Sequence, residues 1–212
     1  MTKLAVDTPH GRANAYLDLA PNARGALVLG HGAGGGVEAK DLVAAKEAAL
    51  AENVSVALVE QPYRVAGRRS PAPARQLDAV WTAVVDRLVK GKLGGLPLIV
   101  GGRSLGARVA CRTVEATGAV GVLCLAFPLQ PPARAGKPRP PDRLGELDAV
   151  KVPVLVVQGE RDRFGKPPKG PRRTVVEVSG DHGLKADLEA VADAVRAWLP
   201  AVLRRRSTGT RR

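Results

Sequence analysis

The 212-residue sequence has little cysteine and no long apolar run, which excludes several classes of protein. Its two cysteines, Cys111 and Cys124, are too few for a disulfide framework, and their apolar neighbours predict buried thiols. The longest apolar run, Val120–Phe127, is far shorter than the ~20 residues that a membrane span needs. The N-terminus lacks the apolar segment of a secretion signal. We therefore expect a cytoplasmic protein that needs no membrane and no disulfide.

Aromatic and acidic residues are also scarce, and this scarcity bears on possible partners. The 33 Lys and Arg against 20 Asp and Glu give a net charge of +13, which would suit a nucleic-acid partner. However, the sequence has only two Phe, two Tyr and two Trp, and none is interleaved with a basic run to stack on bases. A nucleic-acid partner is therefore not expected. Three histidines and two cysteines without metal-ligand spacing likewise predict no metal site.

Short apolar segments alternate along the chain with segments of helical spacing. Most of the apolar segments are continuous rather than alternating, as in strands that are buried on both faces of a sheet. This order predicts an α/β fold with a mostly parallel sheet of about six or seven strands and helices on both faces. The predicted helices are Leu42–Leu50, Leu77–Val89, Leu105–Thr117 and Leu188–Val202. The predicted strands are Ala26–Gly30, Val54–Val59, Leu98–Gly102, Val120–Phe127, Val154–Gln158 and Thr174–Val178, with Ala15–Leu19 as a further edge strand.

Two segments do not follow this alternation. The proline-rich segment 128–141 cannot form a regular helix, because proline fixes φ and lacks an amide donor. It predicts a surface loop near the carboxyl edge of the sheet, either functional or a plain connector. The last residues, 204–212, carry five arginines and no apolar anchor. We expect one domain over residues 1–203, followed by a basic, disordered tail over residues 204–212.

The segment Gly102–Gly106 (GRSLG) is a G-x-S-x-G motif that follows a predicted strand and opens a predicted helix. This context is typical of a nucleophile elbow, a sharp turn that holds a serine at positive φ. The two glycines avoid clashes within such a turn. In this context, the motif predicts Ser104 as a nucleophile. The alternative is a strand–helix turn in which the serine occurs by chance.

A serine nucleophile needs a base, and the base needs an acid to orient it. His182 lies in SGDHG, between the last predicted strand and the last helix, and Asp162 lies in GERD just after the fifth predicted strand. The order Ser104, Asp162, His182 is typical of α/β-hydrolases, and all three residues lie where strands end. Glu160 and Asp181 are alternatives to Asp162, although Asp181 is adjacent to His182 and is expected to point elsewhere.

A glycine-rich segment, Gly30–Gly36 (GHGAGGG), follows the first long strand. Acyl transfer places negative charge on a carbonyl oxygen, which converging backbone amides stabilise. We expect one donor of this oxyanion hole to be the amide of Leu105, the residue after the nucleophile. The other is expected from the glycine-rich segment, at Ala33, with Gly32 and Gly34 as alternatives.

The same glycines also match G-x-G-x-x-G, the dinucleotide-binding fingerprint, and Glu60 ends the next strand where a ribose-binding acid would lie. A dinucleotide-binding oxidoreductase is therefore a rival interpretation. Against it, the helical pattern starts only near Glu38, whereas the fingerprint helix starts at the second glycine. It would also leave the Ser–Asp–His set unexplained. Under the hydrolase interpretation, His31 lies on the oxyanion side of the site and is expected to have a structural role.

The motifs HGAGGG, GGRSLGAR, QGERDRFG and SGDHGL, in this order, resemble those of the α/β-hydrolase superfamily. More closely, the chain is similar to small bacterial hydrolases of the dienelactone-hydrolase-like branch, and within it to a group related to a subunit of the animal NSL histone-acetyltransferase complex. The segment Gln61–Arg64 (QPYR), followed by Gly67–Arg69 (GRR), is similar to the F-P-Y…G-R-R stretch of that group. Gln61 stands where many members have Phe. The resemblance spans residues 8–199.

The resemblance implies Ser104 as nucleophile, His182 as base and Asp162 as acid. For this chemistry we expect no cofactor. Dienelactone hydrolases themselves use a cysteine nucleophile, so their reaction is not implied. We expect a serine hydrolase that cleaves a small carboxylic ester or thioester through an acyl-enzyme. A non-catalytic interaction module on the same fold is the alternative.

The pocket around the site is the least defined part of the prediction. Relatives insert lid helices between the fourth and fifth predicted strands, whereas this chain has only the proline-rich loop and a short segment near Leu144–Val150, which predicts a minimal lid. The nearby loops are basic and would attract an anionic substrate, unless their arginines are merely solvated. These arginines are Arg103, Arg134, Arg139, Arg161 and Arg163. The candidate pocket residues are Tyr63, Arg103, Phe127 and Phe164.

Overall fold

The computed structural model describes residues 1–131, 136, 138 and 140–204. Eight strands form one sheet in the order β1-β2-β4-β3-β5-β6-β7-β8. The strands are β1 (Thr2–Thr8), β2 (Gly11–Asp18), β3 (Gly25–Gly30), β4 (Val54–Glu60), β5 (Leu98–Arg103), β6 (Gly121–Leu125), β7 (Val154–Gly159) and β8 (Arg173–Val178). The helices are α1 (Lys40–Ala51), α2 (Pro62–Val65), α3 (Ala74–Val89), α4 (Leu105–Thr117), α5 (Leu144–Asp148) and α6 (Leu188–Arg204).

The sheet is antiparallel at one end and parallel over the rest. Strands β1 and β2 form an antiparallel hairpin, and β2 pairs antiparallel with β4. All pairs from β4 through β3 to β8 are parallel. The carboxyl ends of β3, β5, β7 and β8 therefore meet at one edge, where open parallel sheets place their binding sites.

Helices cover both faces of the sheet. Helices α1 and α6 pack on one face, and α3 and α4 pack on the other. All six residues of β3 are buried, because successive side chains of a strand point to opposite faces and both faces here are covered. Cys111 of α4 and Cys124 of β6 are buried free thiols, as predicted.

The predicted α/β fold and mostly parallel sheet are confirmed. Each of the six predicted core strands is present, and the predicted edge strand is β2. The sheet has eight strands, one more than the upper end of the expected range of six or seven. This strand, β1, escaped prediction because only one of its residues, Val6, is buried, so it carries no apolar pattern. The short helix α2 was not predicted either.

Some predicted features fall on parts of the chain that are not described. Arg134 and Arg139 of the proline-rich segment lie outside the described residues, as does the basic tail except for Arg204, which ends α6. Between β6 and β7 the described residues form one helix, α5, in agreement with the predicted minimal lid. None of the helices within the described ranges is long and apolar enough to cross a membrane.

Candidate active site

Ser104 lies in the turn between β5 and α4. Its φ of 52° and ψ of −105° form a left-handed backbone conformation that costs a residue other than glycine roughly 1–3 kcal/mol. The Ser104 amide donates to the carbonyl of Leu125 at 2.9 Å, which ties the turn to β6. A Cβ at Gly102 or at Gly106 would clash with the carbonyl oxygen of Gly30 on β3. The close approach of the elbow to β3 therefore requires both glycines of the motif.

A chain of hydrogen bonds joins Ser104 to His182 and Asp162. The Ser104 Oγ lies 2.9 Å from His182 Nε2, and His182 Nδ1 lies 2.8 Å from Asp162 Oδ2. The Asp162 side chain has no exposed surface, and that of His182 is 18% exposed. Because the carboxylate can only accept at Nδ1, it favours the tautomer with the proton on Nδ1. Nε2 is then left to accept the proton of the serine hydroxyl.

The Asp162 carboxylate is oriented by two further donors. The Phe164 amide donates to Oδ1 at 2.8 Å, and the side-chain amide of Gln158 donates to Oδ2 at 2.8 Å. Gln158 lies on β7, is fully buried, and its Nε2 also lies 3.1 Å from the carbonyl of Phe127. The role of Gln158 was not predicted, although a polar residue near the end of the apolar strand VLVVQG was a usable signal.

The two alternative acids lie elsewhere. Glu160 and Asp181 are exposed, whereas Asp162 is buried against the imidazole. Asp181 Oδ1 accepts a hydrogen bond from the Gly183 amide at 2.7 Å, within its own turn. Neither carboxylate is hydrogen-bonded to the His182 ring, since both ring nitrogens are occupied by Asp162 and Ser104.

The glycine-rich loop after β3 lies beside Ser104. A Cβ at Gly32 would lie 3.7 Å from the Ser104 Cβ, while a Cβ at Gly34 would meet open space. Within the described part of the chain, neither the Leu105 amide nor the Ala33 amide donates a hydrogen bond. Leu105 is also the first residue of α4, and the amides at a helix N-terminus carry partial positive charge. The two expected oxyanion donors are thus unpaired beside the serine.

His31 and Tyr63 hold this loop in place. His31 Nδ1 donates to the Gly32 carbonyl at 2.8 Å, and its Nε2 accepts from the Gln61 amide at 3.1 Å. Burial lowers the pKa of His31, in keeping with a neutral ring whose two nitrogens have opposite roles. The Tyr63 hydroxyl donates to the Ala33 carbonyl at 2.9 Å, and burial raises the pKa of Tyr63 to about 12. Tyr63 therefore helps to hold the glycine-rich loop in position.

The aromatic pocket candidates have different surroundings. Phe164 packs edge-on against the His182 ring, with centroids 4.5 Å apart, and the Arg163 guanidinium lies 4.9 Å from the Phe164 ring centre. Phe164 is therefore in place to line the site. The assignment of Phe127 to the pocket is wrong, because its side chain has no exposed surface. Phe127 follows β6 directly, close to the edge of the sheet. Its side chain nevertheless packs in the hydrophobic core, because the burial of an apolar ring is favourable.

Arg103, also predicted as a pocket residue, links three parts of the site. Its Nη2 donates to the His182 carbonyl at 3.0 Å, and its Nε forms a 2.9 Å ion pair with Asp41 on α1. A Cβ at Gly32 would lie 2.8 Å from its Nη1, so the guanidinium also touches the glycine-rich loop. Asp41 is almost fully buried, and burial raises its pKa while the charge of Arg103 opposes that shift. The guanidinium thus contacts the His182 carbonyl, the Asp41 carboxylate and the glycine-rich loop, which are all groups of the protein.

The structure does not form the dinucleotide fingerprint. Helix α1 begins at Lys40 after an N-cap at Ala39, well beyond the glycines that would open it in a phosphate-binding turn. The Glu60 carboxylate accepts from the side-chain amide of Asn14 at 2.9 Å and from the Tyr16 hydroxyl at 3.0 Å. It is therefore already paired on the sheet. Across the described residues, no three His, Cys, Asp or Glu side chains lie together as metal ligands.

Comparison with known families decides the affiliation of the chain. A family model described as the alpha/beta hydrolase domain matches residues 23–198, which include Ser104, Asp162 and His182. The chain belongs to this α/β-hydrolase family. A search of curated proteins gives no match to this α/β-hydrolase. Its resemblance to the NSL-related group stays a prediction.

Solved structures resemble this α/β-hydrolase over nearly its whole length. Est1E from Butyrivibrio proteoclasticus is 18% identical with a TM-score of 0.76, covering 96% of this chain and 100% of its own. XC6422 from Xanthomonas campestris, described as an a/b serine hydrolase without lid, is 20% identical with a TM-score of 0.71, covering 94% and 95%. A dienelactone hydrolase from Anabaena variabilis is 15% identical with a TM-score of 0.72, covering 94% and 96%. At these identities the likeness shows a shared fold.

Proposed function

We propose that this α/β-hydrolase is a serine hydrolase that cleaves a small carboxylic ester or thioester through an acyl-enzyme. The observation that carries the proposal is the hydrogen-bonded series Ser104, His182 and Asp162 at a strained strand–helix turn. A strained backbone and a buried carboxylate are costly features, and nucleophilic catalysis uses both.

In the proposed reaction, Ser104 Oγ attacks the carbonyl carbon while His182 Nε2 takes its proton. Asp162 stabilises the imidazolium that results. The negative charge on the substrate oxygen is held by the amides of Leu105 and Ala33, with Gly32 and Gly34 as alternatives to Ala33. The intermediate collapses, and the leaving alcohol or thiol takes the proton from His182. Water, deprotonated by His182, then attacks the acyl-enzyme, and His182 returns the proton to the Ser104 oxygen as the acid leaves; no cofactor takes part.

Two observations favour a small substrate. The described residues between β6 and β7 place one five-residue helix there, so little of this segment is available to form a deep apolar groove for a long acyl chain. One structural neighbour is named as an esterase domain, and Est1E has been solved with ferulic acid bound. Arg161 and Arg163 are exposed near Asp162, so an anionic substrate would be attracted at low salt. A soluble substrate of this kind suits the expected cytoplasmic location.

The test uses a fluorophosphonate probe and a series of nitrophenyl esters from acetyl to palmitoyl. We expect the probe to label the wild-type chain at Ser104, and we expect kcat/KM to be highest for short acyl groups. An unlabelled but folded chain would favour the alternative, a non-catalytic interaction module on the same fold. A rise of kcat/KM toward palmitoyl would contradict the short-acyl preference, and for an anionic ester, salt-independent kcat/KM would contradict the steering by the basic loops.

A further inference from the structure

The QPYR and GRR segments that carry the family resemblance contribute no reacting group to the proposed reaction. In the structure, five of their residues line a cleft of about 510 Å³, formed by α2, the loop that follows it and the start of α3; they are Gln61, Pro62, Tyr63, Arg68 and Arg69. None of the three residues of the hydrogen-bonded series lines this cleft. Its volume lies within the range of ~300–1,000 Å³ that is usual for small-molecule sites.

The charge of the cleft has one sign. Arg68 and Arg69 lie on its wall, and among the described residues no acidic side chain lines it. Within the described residues, neither guanidinium forms an ion pair with a carboxylate. Helix α3 starts at the cleft with Ala74, without a side-chain cap and without an acidic residue in its first turn. An anion would therefore meet two unpaired arginines and the positive end of a helix.

The rest of the lining is largely apolar. Pro62, Leu77 and Val80 contribute a buried apolar surface, and Gln61 lies beside them. Gln61 is 6% exposed, and its Oε1 has no hydrogen-bond partner. The cleft thus combines an apolar part and a positive rim.

We propose that this cleft binds a small amphipathic anion, an apolar body that carries a carboxylate or a phosphate monoester. The anionic group lies between Arg68 and Arg69, whose planar guanidinium groups match carboxylate and phosphate oxygens. The apolar body lies on Pro62, Leu77 and Val80. This proposal does not depend on hydrolysis, because none of Ser104, Asp162 and His182 lines the cleft.

The cleft is nevertheless connected to the Ser104 site through one side chain. Tyr63 lines the cleft, and its hydroxyl donates to the carbonyl of Ala33 at 2.9 Å. A ligand in the cleft would therefore pack against the residue that holds the expected oxyanion donor.

Binding is measured by calorimetry or ligand-observed NMR with four probes: hexanoate, hexyl phosphate, hexylamine and acetate. We expect hexanoate, hexyl phosphate or both to bind, hexylamine not to bind because of its charge, and acetate to bind more weakly because it lacks an apolar body. The ratio of the first two affinities identifies the anionic group. In the double variant Arg68→Gln/Arg69→Gln, the affinity for the anions should fall about 5- to 10-fold, as expected for two partly exposed charge pairs.

The matched control is Arg75→Gln/Arg87→Gln, which removes the same charge from exposed positions of α3 outside the cleft. It should bind the probes as the wild type does. Ser70→Trp, which fills the exposed side of the cleft without changing its charge, should abolish binding and covers the case in which the double variant misfolds. Absence of anion binding to the wild type at 10 mM overturns the proposal. So do unchanged affinity in the cleft variants and an equal loss in the control. None of these outcomes involves turnover, so they are independent of the proposed hydrolysis.

Discussion

Two histidines lie at the same edge of the sheet, His31 after β3 and His182 after β8, and both ring nitrogens of each are hydrogen-bonded. The partners of His31 are backbone groups, a carbonyl and an amide, which cannot change their charge. The partners of His182 are the hydroxyl of Ser104 and the carboxylate of Asp162. The partners of His182 can therefore give up or take up a proton, as its proposed role as base requires, whereas the partners of His31 only hold the loop after β3 in place. The partners of a histidine, more than its burial, are what separate the proposed base from the structural residue.

The largest loss of activity is expected when Ser104 loses the hydroxyl that contacts His182. We expect Ser104→Ala to abolish ester hydrolysis, with a loss of about 10⁴–10⁶ in kcat, because the nucleophile is gone. Circular dichroism and the melting temperature should remain those of a folded chain. Substantial turnover by a well-folded variant would show that the nucleophile has been misassigned.

The next largest effect is expected at Asp162, which contacts Nδ1, the other ring nitrogen of His182. In Asp162→Asn an amide replaces the carboxylate with nearly the same shape, but it favours the wrong imidazole tautomer, a change that costs about 10⁴ in a serine protease. Glu160→Gln is the matched control, since Glu160 is exposed and close in sequence. Its kcat should stay near that of the wild type. The opposite ranking of the two variants in steady-state assays would move the acid to Glu160.

Arg103 contacts both the loop after β3 and the loop after β8. Its removal therefore tests whether the link between the two loops matters for activity. Arg103→Gln loses the link between the His182 carbonyl, the loop at Gly32 and the buried Asp41. A displacement of the base by about 1 Å is enough to reduce kcat by up to ~10²-fold. Because the guanidinium is bonded to protein groups, KM should change little. A large rise in KM with unchanged kcat would instead place Arg103 in contact with the substrate.

The smallest effect on activity is expected at His31, where stability should change instead. His31→Gln loses hydrogen bonds to Gly32 and Gln61, which should lower the free energy of unfolding by about 1–3 kcal/mol. Since burial lowers the pKa of His31, the unfolded chain takes up the proton first as the pH falls below the ordinary value of 6.5. Wild-type stability should therefore decrease below pH 6.5. Denaturant titrations at pH 7.5 and 5.5 should show a smaller decrease in the variant.

The sequence was informative where chemistry depends on local pattern and chain order. Ser104 was recognisable from its motif between a strand and a helix, and Asp162 and His182 from their places after later strands. The parallel sheet brings such strand ends together, so three separate segments could be predicted to meet. The core strands were equally accessible, because burial on both faces leaves a continuous apolar run.

The parts that escaped prediction depend on neighbours distant in sequence. The role of Arg103 requires knowing that Asp41 is buried beside it, and nothing in its own segment indicates a partner on α1. Gln158 contacts the carboxylate four residues away because the chain turns after β7. Phe127 was misplaced because closeness to a strand end does not reveal whether a side chain turns inward. β1 carries too little buried surface to leave a pattern.

The crowding around the Gly30 carbonyl has a consequence for the evolution of such chains. Gly102 and Gly106 are required because a side chain at either position would meet that carbonyl, whether or not Ser104 reacts. A descendant that had exchanged the serine and lost its activity would still have to keep both glycines in order to fold. The flanking part of the motif therefore records an inherited architecture, and a genome survey based on it would count inactive descendants together with working enzymes. Only the serine and its two distant partners carry information on whether selection still maintains a reaction.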